Sequence, residues 1–130
     1  MFEKVCFIGL GLIGASLAQA MRDKKLAKSI VAVSRSQSTI DKGINYGLLD
    51  AGFDDAALAV QGADLVVIAT PVQAVKKIFE QIKPIITDKT IIMDVGSTKG
   101  NIIADASAVF GEDMPKGFVP AHPIAGAEKS

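Results

Sequence analysis

The sequence has no tryptophan, a single histidine and a single cysteine in 130 residues. A lone cysteine cannot close a disulfide within the chain, so no cystine framework holds this fold together. Cys6 sits inside an apolar run, where a thiol acts as a small buried hydrophobe. A reducing, cytoplasmic setting is expected, and no metal site is. Aromatic residues are also scarce, so the core must be built from Ile, Val, Leu and Ala, as in parallel sheets covered by helices. An excess of either charge is missing as well. The 14 basic and 14 acidic residues cancel, and no basic stripe points to a nucleic acid partner. Finally, no apolar stretch is long and uninterrupted enough for a membrane span. Residues 5–21 are broken by the glycines of GLGLIG and lead to no cleavage-type ending, so neither a signal peptide nor a membrane partner is expected.

What is present is a 49% hydrophobic chain of one domain's length, enough for a core without disulfide or metal. Short apolar runs alternate with longer amphipathic stretches. Strands are expected at Lys4–Gly9, Ile30–Ser34, Ala51–Phe53, Ala63–Thr70, Thr90–Val95 and Gly117–Pro120. Helices are expected over Leu12–Lys24, Ser38–Leu48, Asp54–Gln61, from Pro71 onward, and over Lys99–Phe110. Ile40, Ile44 and Leu48 mark the inner face of the second helix, with Ser38 and Asp41 as a capping pair. The helix from Pro71 carries Val72, Val75, Phe79 and Ile82 inward and Lys76, Lys77, Glu80 and Lys83 outward. Strict alternation of strand and helix predicts an α/β fold, a Rossmann-type doubly wound parallel sheet of about six strands with helices on both faces. The chain stops at Ser130, after a Pro- and Gly-rich segment and with no helix to cover the last strand. Residues 1–130 are therefore expected to be the front domain of a longer protein.

Gly9-Leu10-Gly11-Leu12-Ile13-Gly14 fits G-x-G-x-x-G, between an expected strand and an expected helix. Each glycine has its own reason: Gly9 for a tight turn, Gly11 for close approach of a pyrophosphate, and Gly14 for close packing of helix on strand. The backbone of Leu12 and Ile13 then belongs to the helix end that meets the pyrophosphate. A glycine-rich turn that binds nothing is the bland alternative.

A dinucleotide without a 2′-phosphate is usually held by an acid at the end of the second strand, about 20 residues beyond the glycines. Here that place reads Ser34-Arg35-Ser36-Gln37-Ser38-Thr39, with no carboxylate. Arg35 can stack on adenine and pair with a phosphate, and the hydroxyls of Ser34, Ser36, Ser38 and Thr39 can donate to phosphate oxygens. NADP is the expected cofactor, with NAD as the second. The loop could also be only an ordinary helix cap. Thr70-Pro71, at the end of the fourth strand, is expected to line the ribose and nicotinamide, though Thr70 could equally be a simple strand end before a helix N-terminus. At the end of the fifth strand, Ser97 can hydrogen-bond a substrate hydroxyl or a base, and Lys99 can attract a carboxylate or remain a surface lysine. His122 follows the last strand at the same sheet edge, where its imidazole can accept a proton from an alcohol near neutral pH or simply make a structural hydrogen bond within a loop.

Taken together, GLGLIG, ATP at 69–71, DVGSTKG at 94–100 and AHPIAGAEKS at 121–130 resemble the prephenate/arogenate (cyclohexadienyl) dehydrogenases across essentially the whole chain. The glycine loop is common to many dehydrogenases, whereas D-V-x-S-x-K together with H-P-x-A-G is much more specific. SRSQST resembles the NADP-using arogenate dehydrogenases of that family. The resemblance implies an oxidoreductase of tyrosine biosynthesis that oxidatively decarboxylates prephenate or arogenate with hydride transfer to the nicotinamide. It implies His122 as the group acting on the substrate hydroxyl, and Ser97 as the residue orienting both. Lys99, Gly126 and Glu128 become candidate substrate-site residues. Ala127 stands where some members carry a hydroxyl. Family members continue into a helical domain that supplies dimer contacts and a cation for the substrate carboxylate. The intact protein is thus expected to be a homodimer, and residues 1–130 alone to bind dinucleotide without turnover. Two other readings share the front domain: a 3-hydroxyacid-dehydrogenase-like NADP enzyme, and a non-catalytic dinucleotide-binding module.

Overall fold

The computed structural model describes residues 2–70, 72–87, 89–95 and 117–119; for 11–13, 72, 73, 75 and 117–119 it describes the backbone alone. In chain order these form β1 (Phe2–Ile8), α1 (Gly11–Asp23), β2 (Ala27–Val33), α2 (Gln37–Asn45), β3 (Ala51–Phe53), α3 (Ala56–Ala59), β4 (Leu65–Ile68), α4 (Val72–Ile82), β5 (Ile91–Asp94) and β6 (Gly117–Val119). The six strands make one sheet in the order β3-β2-β1-β4-β5-β6, and every pairing is parallel. This is the doubly wound arrangement expected from the alternation, with β1 and β4 side by side where the strand order reverses.

Strand periodicity divides the core between the two faces. Cys6, Ile8, Val66, Ile68 and Ile92 point to the side covered by α3 and α4, where they meet Ala56, Ala59, Phe79 and Ile82. Val5, Phe7, Ile30, Leu65 and Val67 point to the other side and meet Ala18 and Met21 of α1, with Leu48 and Leu49 from the loop after α2. Because both faces are covered, Val5–Ile8 and all of β4 are buried, which explains their unbroken apolar runs. Burial pushes the Cys6 thiol up to about 12, Lys4 opposing it only in part, so this cysteine stays a protonated hydrophobe.

Several boundaries differ from expectation. β2 begins at Ala27, because Phe2 of β1 pairs with it there and pairing carries polar residues into a strand that hydropathy alone would not include. α2 starts at Gln37 and ends at Asn45; its cap is Ser36, whose Oγ accepts from Thr39 N at 3.2 Å, in place of the expected Ser38–Asp41 pair. Ile44 is 44% exposed, and Leu48 reaches the core only after the helix has ended. α3 is a single turn, Ala56–Ala59. The helix expected over 99–110 lies outside the described residues.

The sheet edge opposite the expected site is tied by two carboxylates. Asp64 accepts from Glu3 N at 2.9 Å and Lys4 N at 2.8 Å, while its own N–H donates to Lys4 O and its carbonyl accepts from Ile91 N. One residue thus links the starts of β1, β4 and β5. Asp50 accepts from Ile30 N at 2.8 Å and pairs with Arg22 at 2.7 Å, joining the end of α1 to β2 and β3. Partial burial raises the Asp64 pKa, but the N–H donors of Glu3 and Lys4 outweigh it and hold the carboxyl below its ordinary value. A depressed folded value stabilises the fold above the unfolded aspartate pKa of about 3.9 and ceases to do so as pH falls through the folded one. Asp64→Ala should therefore cost about 1–2 kcal/mol in denaturant melts at neutral pH. The difference from wild type should shrink once pH falls below the folded value; a cost that stays constant across that range would contradict the assignment.

Candidate functional site

β1 ends in a turn that only glycine tolerates. Gly9 has φ +82°, and a Cβ there would stand 2.7 Å from Thr70 Cγ2 and 3.1 Å from Ala69 O. The turn is locked from both sides: Gly9 N donates to Val33 O, and Ala69 N donates to Ile8 O, each at 2.9 Å. The ends of β2, β1 and β4 therefore meet at one point, which is the crevice position of doubly wound sheets. Gly14 carries less of the packing than expected. A Cβ there would touch Ala69 Cβ at 3.4 Å and Phe7 Cδ2 at 3.8 Å, ordinary contacts that exclude side chains larger than a methyl.

The chain leaves this turn directly into α1, whose backbone begins at Gly11 and includes Leu12 and Ile13. Its N-cap is Leu10, which supplies no side-chain hydrogen bond to the first turn, and that turn holds no acidic residue. The positive helix end thus keeps N–H donors for an anion. A second observation points the same way. Thr70 Oγ1, beside Gly9, is buried and has no hydrogen-bond partner among the described residues. A buried hydroxyl without a partner costs free energy unless a ligand completes it. Donor amides, a backbone free of side chains and an open hydroxyl fit a dinucleotide's pyrophosphate and ribose.

Beyond β2, Ser34 Oγ accepts from Ser36 N at 3.1 Å, and Ser36 Oγ accepts from Thr39 N at 3.2 Å. Both hydroxyls spend lone pairs on their own loop and keep the O–H proton to donate. The loop is thus both a helix cap and a pair of oriented donors. Arg35 and Ser38 are exposed. Arg35 and Ser34 line a cavity of about 340 Å³ together with Gln37, Gly52, Phe53 and Asp54. Thr39 instead lines a groove between α1 and α2 with Leu10, Ala15 and Tyr46. The structure therefore divides the residues expected to act as one phosphate site.

Gln37 and Asp54 were not anticipated from sequence. The signal lay in strand order: β3 pairs with β2 in the register Val33↔Phe53, so the residue after β3 stands beside the residues after β2. Pro71, Ser97, Lys99, His122, Gly126 and Glu128 lie outside the described residues. Among the described residues, no group of His, Cys, Asp or Glu could hold a metal ion, and no helix is long and apolar enough to cross a membrane.

Residues 17–130 match the family model for the prephenate dehydrogenase nucleotide-binding domain. The match begins inside α1, after the glycine loop. A prephenate dehydrogenase of Bacillus subtilis is 33% identical over the whole of this chain, which covers 35% of that protein. Among solved structures, a prephenate dehydrogenase from A. aeolicus in complex with hydroxyphenyl propionate and NAD+ aligns with a TM-score of 0.82 at 28% identity, covering 97% of this chain and 43% of that one. An arogenate dehydrogenase from Synechocystis aligns with a TM-score of 0.71 at 35% identity, covering 83% of this chain and 38% of that one. The chain thus spans well under half the length of these relatives.

Two substitutions separate the turn from the hydroxyl. Gly9→Ala should destabilise the fold by about 1–3 kcal/mol, read as a lowered Tm, and should abolish calorimetric titration with dinucleotide. Thr70→Val preserves shape and removes a buried polar group. It should leave Tm unchanged or raised and weaken dinucleotide binding about three- to tenfold; unchanged affinity would remove Thr70 from the site.

Proposed function

This chain belongs to the prephenate dehydrogenase nucleotide-binding-domain family, and we propose that it is the dinucleotide-binding part of an enzyme that oxidatively decarboxylates prephenate or arogenate in tyrosine biosynthesis. The observation carrying the proposal is the meeting of the Gly9 turn, the uncapped start of α1 and the open Thr70 hydroxyl where β1 and β4 adjoin. The backbone amides at the start of α1 bind and orient the pyrophosphate. A bound nicotinamide would supply the acceptor for the hydride leaving the ring carbon that bears the hydroxyl, the oxidation that accompanies loss of carbon dioxide and leaves the ring aromatic. His122 accepts the hydroxyl proton, and Ser97 orients the imidazole and the hydroxyl. Lys99 attracts a substrate carboxylate, and Gly126 and Glu128 are further candidates for the substrate site.

The preferred cofactor is NADP, with NAD as the second. Support comes from Arg35, a cation without an ion pair among the described residues, and from the two oriented hydroxyls of Ser34 and Ser36. A buried lone cysteine fits a cytoplasmic enzyme. Residues 1–130 form one domain. In the intact protein a helical domain follows, completing the substrate site and holding a homodimer.

The test follows absorbance of the reduced cofactor in the full-length protein, with prephenate and arogenate each paired with NAD and NADP. Turnover with either substrate supports the proposal; none in the four combinations, from protein that binds dinucleotide, rejects it. His122→Ala should lower kcat by about a hundredfold or more while leaving the dinucleotide Kd unchanged. Arg35→Ala should weaken NADP at least about tenfold and NAD little. Residues 1–130 alone should bind dinucleotide and turn over neither substrate.

A further inference from the structure

The cavity between the ends of β2 and β3 presents two opposite charges that are not joined. Arg35 and Asp54 both line it, both are exposed, and neither has a hydrogen bond or ion pair among the described residues. The neighbouring carboxylate, Asp55, is already committed: its Oδ1 accepts from Ala57 N at 2.9 Å and caps α3. Of this acidic pair, Asp54 lines the cavity and Asp55 does not. Its position is set by backbone. Val33 pairs with Phe53, and Ser34 N donates to Phe53 O at 3.0 Å, so residues 34–35 and residue 54 leave the sheet from adjacent points.

We infer that Asp54 is a cofactor-discriminating residue, a negative charge opposing Arg35 that limits the preference for a 2′-phosphorylated dinucleotide. The inference rests on the dinucleotide-binding reading above. The end of β2 lacks the acid that disfavours a 2′-phosphate, and β3 supplies one to the same cavity. With the phosphate present, Arg35 and the Ser34 and Ser36 protons attract it, and Asp54 repels it. With a plain ribose there is no such repulsion, and the carboxylate is an acceptor available to hydroxyl donors. The balance between Arg35 and Asp54 then sets the ratio of the two affinities, leaving the protein able to use both cofactors.

Since both groups are exposed, the effect is moderate and falls with salt. Calorimetric titration of the intact protein with NADP and with NAD tests it, at about 20 mM and about 500 mM ionic strength. Asp54→Asn should tighten NADP about three- to tenfold at low salt and leave NAD unchanged or weaker. At high salt most of that gain should vanish. Asp54→Glu keeps the charge and should keep the wild-type ratio, which a purely structural role would not demand. Asp54→Ser, also neutral, should repeat the Asn result if Asn itself fails to fold. An unchanged NADP-to-NAD ratio in the neutral variants, with wild type binding both cofactors, overturns the inference alone. Equal weakening of both cofactors also overturns it, since that marks a structural residue. Wild type binding neither cofactor overturns the dinucleotide reading, and the inference with it.

Discussion

The rest of the arrangement depends on how closely β1 can end against β4. At Gly9 the chain turns with a positive φ while the backbone of Ala69 and the methyl of Thr70 press against the space a Cβ would take. That contact brings the end of one strand to the crevice and starts α1 immediately beyond it. It also brings the first amides of the helix and the Thr70 hydroxyl to the same end of the sheet as the β2–α2 loop. A larger residue at position 9 would displace the turn from both neighbouring strands, because each holds it by a backbone hydrogen bond.

Opposite edges of the sheet do different work. At the starts of the strands, Asp64 and Asp50 spend their carboxylates on backbone amides and, for Asp50, on Arg22. Those links stabilise the frame and leave nothing for a ligand. At the ends of the strands, polar groups are only partly used. Ser34 and Ser36 accept but can still donate, and Thr70 Oγ1 lacks a partner among the described residues. Stability thus comes mainly from one edge and the two core faces, while hydroxyls at the other edge keep hydrogen-bonding capacity unused among the described residues.

Much of this was legible in the sequence because each strand is bounded by chemistry that hydropathy sees. The four buried residues of β4 read as an apolar run, and GLGLIG read as a strand-to-helix turn. The misses have equally specific causes. Ala27–Ser29 are polar enough to look like a loop, yet pairing with β1 makes them strand. Ser38 reads as the cap because the apolar phase of Ile40, Ile44 and Leu48 extends to Leu48, but the helix stops at Asn45 and Leu48 enters the core from the loop. Asp54 went unnoticed because its relation to Arg35 exists only across two neighbouring strands. A linear reading measures distance along the chain, and these residues are neighbours through the sheet.

The packing of α2 on β3 has a consequence of another kind. Gly52 lies under Ile40, and any Cβ at position 52 would collide with the branched Cγ2 and with Cδ1 of that side chain. The close approach of Ile40 on α2 to β3 therefore depends on the bare backbone at Gly52. In evolutionary terms, the frame and the loop beyond β2 are largely separable. While glycine is kept at 52 and Ser36 keeps its cap on α2, the neighbouring polar residues at 34 and 35 can change without moving the helix that follows them. Cofactor preference in such a scaffold can drift by small neutral steps, and the fold does not have to be rebuilt when it does.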